Sequence, residues 1–332
     1  MEYRFLGKSG IKVSAISYGS YVTFSGQFEE DTAYNCMVAA YDAGVNFFDN
    51  AEAYADGEAE LMMGKVLKKT GWKRSDLILS TKIFWGGFGV NDRGLSRKHI
   101  IEGTDASLKR LDTEYVDLIF CHRPDLYTPI EETVWAMNHV INQGKALYWG
   151  TSEWSTAQIM EAYQIARREH LIPPLMEQPQ YNMFIRDMIE KELLPLYDKI
   201  GLGTTIWGPL KSGFLTGKYN DGIPKGSRVS LKGFEWLKEI FFSEEWRKNV
   251  EKIKKLTNVA EELEITMSAL ALAWVLKNPN VSTAMVGGSN PEQVKENMKV
   301  IDYVSLLTDD VMESIEEILD NKPEPEKDWK TV

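Results

Sequence analysis

The chain has 332 residues, is 43% hydrophobic and 26% charged, and carries 25 Gly and 12 Pro, an ordinary globular composition that excludes fibrous and disordered classes. Its formal net charge of −11 argues against nucleic acid and anionic lipid as partners, since both are bound through clustered Lys and Arg. No apolar run is long enough to span a bilayer, and Met1 leads into the polar "EYRFLGKSG" with no signal-peptide core, so no membrane insertion is expected. Cys36 falls in a helical pattern and Cys121 ends a strand pattern, so no structural disulfide is expected and a cytoplasmic setting is the simplest.

In chain order, "YRFLGKSGIKVS" (3–14) reads as a hairpin turning at Gly7 to Gly10, close to Met1, so no amino-terminal extension is expected. Short β-branched or aromatic runs then predict strands at 15–20, 45–50, 77–82, 116–122, 146–152, 175–178, 204–207 and 283–289. Periods near 3.6 predict helices at 31–43, 58–69, 97–111, 130–142, 155–170, 187–200, 246–263 and 291–300. Thr128 to Glu131 has the pattern of a capping box with Pro129 opening the helix, Ser155 to Gln158 is a second box, and Asn290 caps a helix opened by Pro291. Two stretches break the rhythm, the loop 83–96 and the insertion 209–233, and loops of that length are usually functional. The tail from Pro323 is polar and Pro-rich, suited to a surface or disordered segment.

Eight strand–helix units with nearly continuous apolar strands predict a parallel sheet covered by helices. A closed (β/α)8 TIM barrel with an N-terminal β-hairpin and extended βα loops fits best, as a single domain over 1–332. An open doubly wound sheet is the runner-up, but no G-x-G-x-x-G stands between a strand and a helix.

Barrels gather their chemistry at the carboxyl ends of the strands. Those ends carry Asp49, Lys82, His122, Ser152 and Gln178, with Tyr54 five residues past Asp49. Singly, each is an ordinary rim or packing residue; the fold converges them on one mouth. A phenol titrates near pH 10, and lowering that to ~7 takes roughly 4 kcal/mol. A cation ~4 Å away at an effective dielectric of ~20 supplies about that much. Lys82 is the candidate cation, Asp49 keeps it charged, and His122 can orient a carbonyl. The result is an acid for an oxygen turning into an alkoxide, in need of a hydride donor that no side chain provides.

The motifs resemble those of the aldo-keto reductase superfamily. "GVNFFDNAEAYADGEAELMMG" (44–64) is similar to its first signature, and "STKIFWGG", "ASLKRLDTEYVDLIFCHRPD", "KALYWGTSEW" and "VGGSNPEQVKEN" follow in family order. "LGKSGIKVS", "GLSRKHIIEG", "VINQGKALYWGTS" and "SRVSLKGFEWLK" are most similar to the potassium-channel β-subunit branch, and the likeness runs from Tyr3 to about Asp328. It implies an NADPH-dependent enzyme in which Asp49, Tyr54, Lys82 and His122 are the catalytic tetrad and Tyr54 the general acid. The channel branch tends to have Asn where this chain has His122, a departure that favours turnover.

By the same resemblance Trp207 stacks on the nicotinamide, Ser152 and Gln178 hold its carboxamide, and Ser20, Tyr21 and Gln27 contact cofactor or pocket. Glu153 departs from the expected Asn or Arg. Loops after the seventh and eighth strands often bind phosphate. Here they are Gly208-Pro209-Leu210-Lys211-Ser212 and Gly287-Gly288-Ser289, the second leading into a capped helix whose free amides favour an anion. Lys218 and Arg228 match the grips on the adenosine phosphates and favour NADPH over NADH; Gln293, Glu296 and Asn297 match the adenosine contacts, and Gly226 replaces a tyrosine.

Tyr21, Trp85, Phe88 and Trp154 are the candidate walls of an apolar substrate pocket for an aldehyde or ketone, and no charged clamp for a sugar phosphate or steroid acid is evident. Two other readings stand beside the reductase: a cofactor-sensing subunit that binds an oligomeric partner and turns over slowly, and a Schiff-base aldolase using Lys82. The branch likeness implies a tetramer.

Overall fold

The computed structural model describes residues 1–23, 30–224, 227, 229, 235–325, 327 and 329–330. Gln27, Gly226 and Arg228, assigned above by resemblance, lie outside the described residues.

Hairpin strands β1 (Tyr3–Phe5) and β2 (Lys12–Ser14) pair antiparallel, Tyr3 opposite Ser14. Eight parallel strands follow: β3 (Ile16–Gly19), β4 (Phe47–Asp49), β5 (Ile78–Ile83), β6 (Val116–Cys121), β7 (Ala146–Thr151), β8 (Met176–Glu177), β9 (Gly203–Ile206) and β10 (Thr283–Val286). They close into a barrel in that order, β10 pairing with both β9 and β3. This is the expected (β/α)8 TIM barrel. β5 and β6 are buried at every position, as strands sandwiched between a packed interior and a layer of helices must be.

The chain falls into two compact units. The first, residues 1–179, 192–207 and 280–298, holds the hairpin and the whole barrel. Its helices include Glu30–Asp42, Glu58–Thr70, Arg97–Leu111, Ile130–Asn142 and Thr156–Arg168. Ser155 forms the expected capping box with Gln158, and Asn290 Oδ1 accepts from the Gln293 amide at 2.9 Å. The box at Thr128 does not form. Pro129 is itself the cap residue of Ile130–Asn142, and Thr128 Oγ1 turns to donate to Asp125 Oδ2 at 2.7 Å.

The second unit, residues 180–191, 208–279 and 299–332, contains the helices Glu235–Phe242, Glu244–Glu262, Met267–Lys277 and Asp309–Leu319. The sequence reading found only the second of these. Within the unit Arg186 is clasped by Glu190 and Glu316, each with a contact of 2.7 Å, and Tyr181 stacks on Trp274 with ring centres 5.2 Å apart. Cys36 and Cys121 are both buried free thiols. Among the described residues no helix is long and apolar enough to cross a membrane.

The hairpin closes the amino-terminal end of the barrel. Leu6 is fully buried in a cluster with Phe47, Ile78, Leu118, Phe120, Met176 and Met285. Gly7 (φ 55°) presses its backbone so close to Gly203 that a Cβ there would sit 2.5 Å from the Gly203 nitrogen. Only glycine fits such an approach in a left-handed conformation. Leu6→Ala is expected to cost about 3 kcal/mol through lost burial and a residual cavity, read as a lowered urea midpoint.

Three buried carboxylates brace the barrel wall. Glu60 takes Thr81 Oγ1 at 2.5 Å and Arg110 Nε at 2.6 Å, and Asp117 takes the Leu79 amide at 2.8 Å and Arg74 at 2.7 Å. Glu177, at the end of β8, accepts from Thr151 and from the Trp154 amide at 3.2 Å. Burial pushes its carboxyl up to about 8; hydrogen bonds from Thr151 and the Trp154 amide resist this, and the charge of Glu153 adds to it. A carboxyl raised on folding binds more protons in the native state than in the unfolded chain. Its favourable contribution is therefore complete below about pH 4.5 and lost as pH rises through about 8. Glu177→Gln is expected to flatten that part of the stability loss, checked by urea midpoints across the same window.

Candidate active site

β4 stops at Asp49, whose carboxylate is buried in a set of donors: Ser80 Oγ at 2.7 Å, Lys82 Nζ at 2.6 Å and Gln178 Nε2 at 3.3 Å. Lys82, on the neighbouring strand β5, is fully buried. Its ammonium also donates to the Asn50 carbonyl at 2.7 Å and to Tyr54 Oη at 3.1 Å. An ammonium has three donors and no acceptor, so these three bonds use it up. The phenol accepts from Lys82, which leaves its own hydrogen free to point elsewhere. Tyr54 opens a short helical turn, Tyr54–Gly57, in which Ala55 and Asp56 hold φ values of 50° and 52°. Such strain in non-glycine residues clusters at functional sites.

His122 follows β6 and stays on the ladder through its amide, which donates to the Ile83 carbonyl at 3.0 Å. Its ring lies 5.8 Å from that of Tyr54 and 5.0 Å from that of Trp85, edge-on to both. Asp49, Tyr54, Lys82 and His122, singled out in the sequence, thus meet at one rim.

The electrostatics correct one expectation. Burial raises the Tyr54 phenol above its ordinary value; Lys82 pulls it down and Asp49 pushes it back up, so the upward direction wins. The ammonium is already matched by Asp49, and a phenolate is poorly solvated at this depth. The resting phenol is a neutral donor, not one lowered toward 7. Burial also opposes the charge on Lys82, but Asp49 and Tyr54 outweigh it and hold the ammonium form above its usual range. Burial, then Lys82 and Arg123, push His122 well below the usual imidazole range, so it is neutral. A neutral imidazole has one N–H to offer an oxygen.

The remaining expected residues take up the following places. Ser20 is buried with its hydroxyl unpartnered among the described residues, and Tyr21 packs edge-on to Tyr54 at 5.0 Å. Ser152 Oγ donates to the Gln178 carbonyl at 2.8 Å, and the Gln178 side chain reaches Thr205 as well as Asp49. Trp207 follows β9, its indole N–H held by Glu153 Oε1 at 2.8 Å. Glu153, whose presence departed from the family pattern, therefore braces the aromatic ring. Ser289 gives both its amide (3.0 Å) and its hydroxyl (2.8 Å) to Gln293 Oε1, and Asn297 Nδ2 donates to the Gly287 carbonyl at 3.3 Å. Glu296 is exposed on the same helix, Pro291–Lys299.

In the second unit the Gly208 carbonyl accepts from Asn182 at 3.0 Å, Pro209 is buried, and Leu210 precedes a turn in which Ser212 holds φ 57°. The Lys211 ammonium lies 5.9 Å over the Phe184 ring, and exposed Lys218 lies 5.1 Å over Tyr219. Of the wall residues, Tyr21 and Trp85 come to the rim. Phe88 is 87% exposed beneath Arg93, and Trp154 is buried with its amide on Glu177.

Glu52 and Arg123 were missed, and Glu153 was noted only as a departure from the family pattern. Glu52, buried, accepts the Phe84 amide at 2.6 Å and sits 3.3 Å from His99 Nε2, pinning the start of loop 83–96. Glu153 is the brace just described. Arg123 stands one residue past His122. The strand-end logic that picked His122 would have reached it if extended by one position. Among the described residues no cluster of His, Cys, Asp or Glu is placed to hold a metal ion.

A family model described as the Aldo/keto reductase family matches residues 15–320. A curated relative, "Probable voltage-gated potassium channel subunit beta" of Arabidopsis thaliana, is 51% identical over 331 residues, covering 99% of this chain and 100% of the relative. With the barrel and the strand-end residues above, these matches show that the chain belongs to the aldo/keto reductase family, a membership that supports oxidoreductase chemistry.

Proposed function

We propose that the protein reduces aldehydes or ketones to alcohols with NADPH as the hydride donor and Tyr54 as the general acid. The observation that carries this reading is the bond from Lys82 Nζ to the phenolic oxygen, 3.1 Å, which leaves the phenol's proton aimed away from the ammonium. A carbonyl oxygen is the acceptor such a pair suits.

The residues present fit a dinucleotide. The buried Ser20 hydroxyl has no partner among the described residues, and the amide and hydroxyl of Ser289 converge on a single side-chain oxygen, as they would on a phosphate oxygen. Ser152, Gln178 and Trp207 would hold the nicotinamide; Lys218 and Arg228 would take phosphate charge, and Gln293, Glu296 and Asn297 the adenosine. When bound, the reduced nicotinamide supplies the hydride. Tyr54 Oη and the neutral His122 donate to the substrate oxygen and fix its position. As charge builds on that oxygen, the proton leaves Tyr54 for it, and the phenolate left behind lies beside the Lys82 ammonium. Asp49 keeps that ammonium charged throughout, and solvent later restores the phenol's proton. The same pairing disfavours the aldolase, because a nucleophilic lysine needs a lowered pKa and Lys82 is held above its usual range.

A second reading has its own support in the printed name of the Arabidopsis thaliana relative, a probable channel β-subunit. On that reading the chain is a cytoplasmic, tetrameric subunit in which cofactor occupancy is sensed by an oligomeric partner. The neutral His122 imidazole, able to donate to a substrate, favours turnover.

Loss of NADPH absorbance over an aldehyde panel tests the reductase. Tyr54→Phe is expected to slow reduction by about 10²–10⁴-fold while NADPH still binds by fluorescence titration; a variant as fast as the parent sinks the assignment. Titration is also expected to show tighter binding of NADPH than of NADH, with Lys218→Ala narrowing the gap, and equal affinities in the parent would count against the 2′-phosphate contact.

A further inference from the structure

We propose that Arg123 is a specificity residue that selects carbonyl substrates carrying a carboxylate, resting on the reductase reading above. Arg123 follows His122 at the end of β6 and is half-buried. One guanidinium nitrogen, Nη1, donates to the His122 carbonyl at 2.5 Å and to Ser152 Oγ at 3.2 Å. Those two bonds anchor the fork beside the proposed hydrogen-bond donor and beside a residue assigned to the nicotinamide. The guanidinium carbon lies 5.5 Å from the Trp85 ring and 5.8 Å from the Trp207 ring, so indoles flank it.

A guanidinium carries five N–H donors in a rigid plane. Nη1 accounts for the two hydrogen bonds given above; among the described residues the Nε and Nη2 donors have no protein acceptor, and the ion pairs there do not include Arg123. The other half-buried arginines of the barrel unit are matched: Arg4 to Glu2 at 2.8 Å, Arg74 to Asp117 at 2.7 Å and Arg110 to Glu60 at 2.6 Å. Arg123 is thus a fixed positive charge in an aromatic mouth, with its remaining N–H groups free to meet a planar, bidentate anion. Its field reaches the reaction centre, since it depresses His122 together with Lys82 and acts on Tyr54. A carboxylate seated on it would sit beside His122 and place the far end of a short acid at the Tyr54 hydroxyl.

The test compares 4-formylbenzoate with its methyl ester, aldehydes of like shape that differ in charge. In the parent enzyme and in Arg123→Met, the ratio of kcat/KM for acid over ester is measured; intrinsic reactivity cancels between the two proteins. The ratio is expected to fall roughly 30-fold, about 2 kcal/mol at 1.36 kcal/mol per tenfold, mostly in KM, with Arg123→Lys falling between. Quenching of Trp fluorescence by benzoate, which needs no turnover, is expected in the parent and absent in Arg123→Met. Equal losses for acid and ester, which leave the ratio unchanged, would overturn the proposal and make Arg123 a positioning residue for His122 and Ser152; no loss for either would overturn it outright. If the parent reduces neither aldehyde, the reductase reading fails by itself, and the benzoate titration still decides whether Arg123 receives a carboxylate.

Discussion

A buried ion pair organises the rim. Taking Asp49 and Lys82 out of water is expensive, and their attraction offsets that cost only where every remaining lone pair and proton is satisfied. Here it is: Ser80 and Gln178 complete the carboxylate, while Asn50 and Tyr54 complete the ammonium. β4, β5, the segment just after β8 and the turn at Tyr54 are tied together through two charges. Loss of either partner would leave the other stranded, so the geometry around the phenol depends on both.

The pair also sets what the phenol is. A lone ammonium would acidify it; an ammonium already answered by a carboxylate leaves it protonated and bonded through its oxygen. The stabilisation is deferred until negative charge appears, which is the condition for lowering a barrier rather than a resting energy. The sequence showed which groups meet. It could not show the balance of burial against two opposed charges, because that depends on how far each atom lies from solvent.

Much of the barrel was legible because its strands and their helices repeat two clear periods. Strand ends at Asp49, Cys121 and Thr151 were within a residue or two of their observed places. The helices of the second unit were not, apart from Glu244–Glu262. Met267–Lys277 is buried nearly all round, so it carries little of the one-sided pattern by which a surface helix is recognised. Thr128 illustrates a different failure: its side chain had a competing acceptor in Asp125, a contact made by a loop's path and invisible to spacing. In the site, Arg123 was passed over and Glu153 noted only as a departure, because their roles lie in what they touch, a carbonyl, a hydroxyl and an indole, and not in any motif.

The two ends of the barrel strands carry different kinds of residue. Leu6 and the backbone at Gly7 plug the amino-terminal end, opposite the strand ends that carry Asp49, Lys82 and His122. Packing and candidate chemistry are housed at opposite ends of the strands, which lets evolution or an engineer harden the base of the barrel without altering the rim.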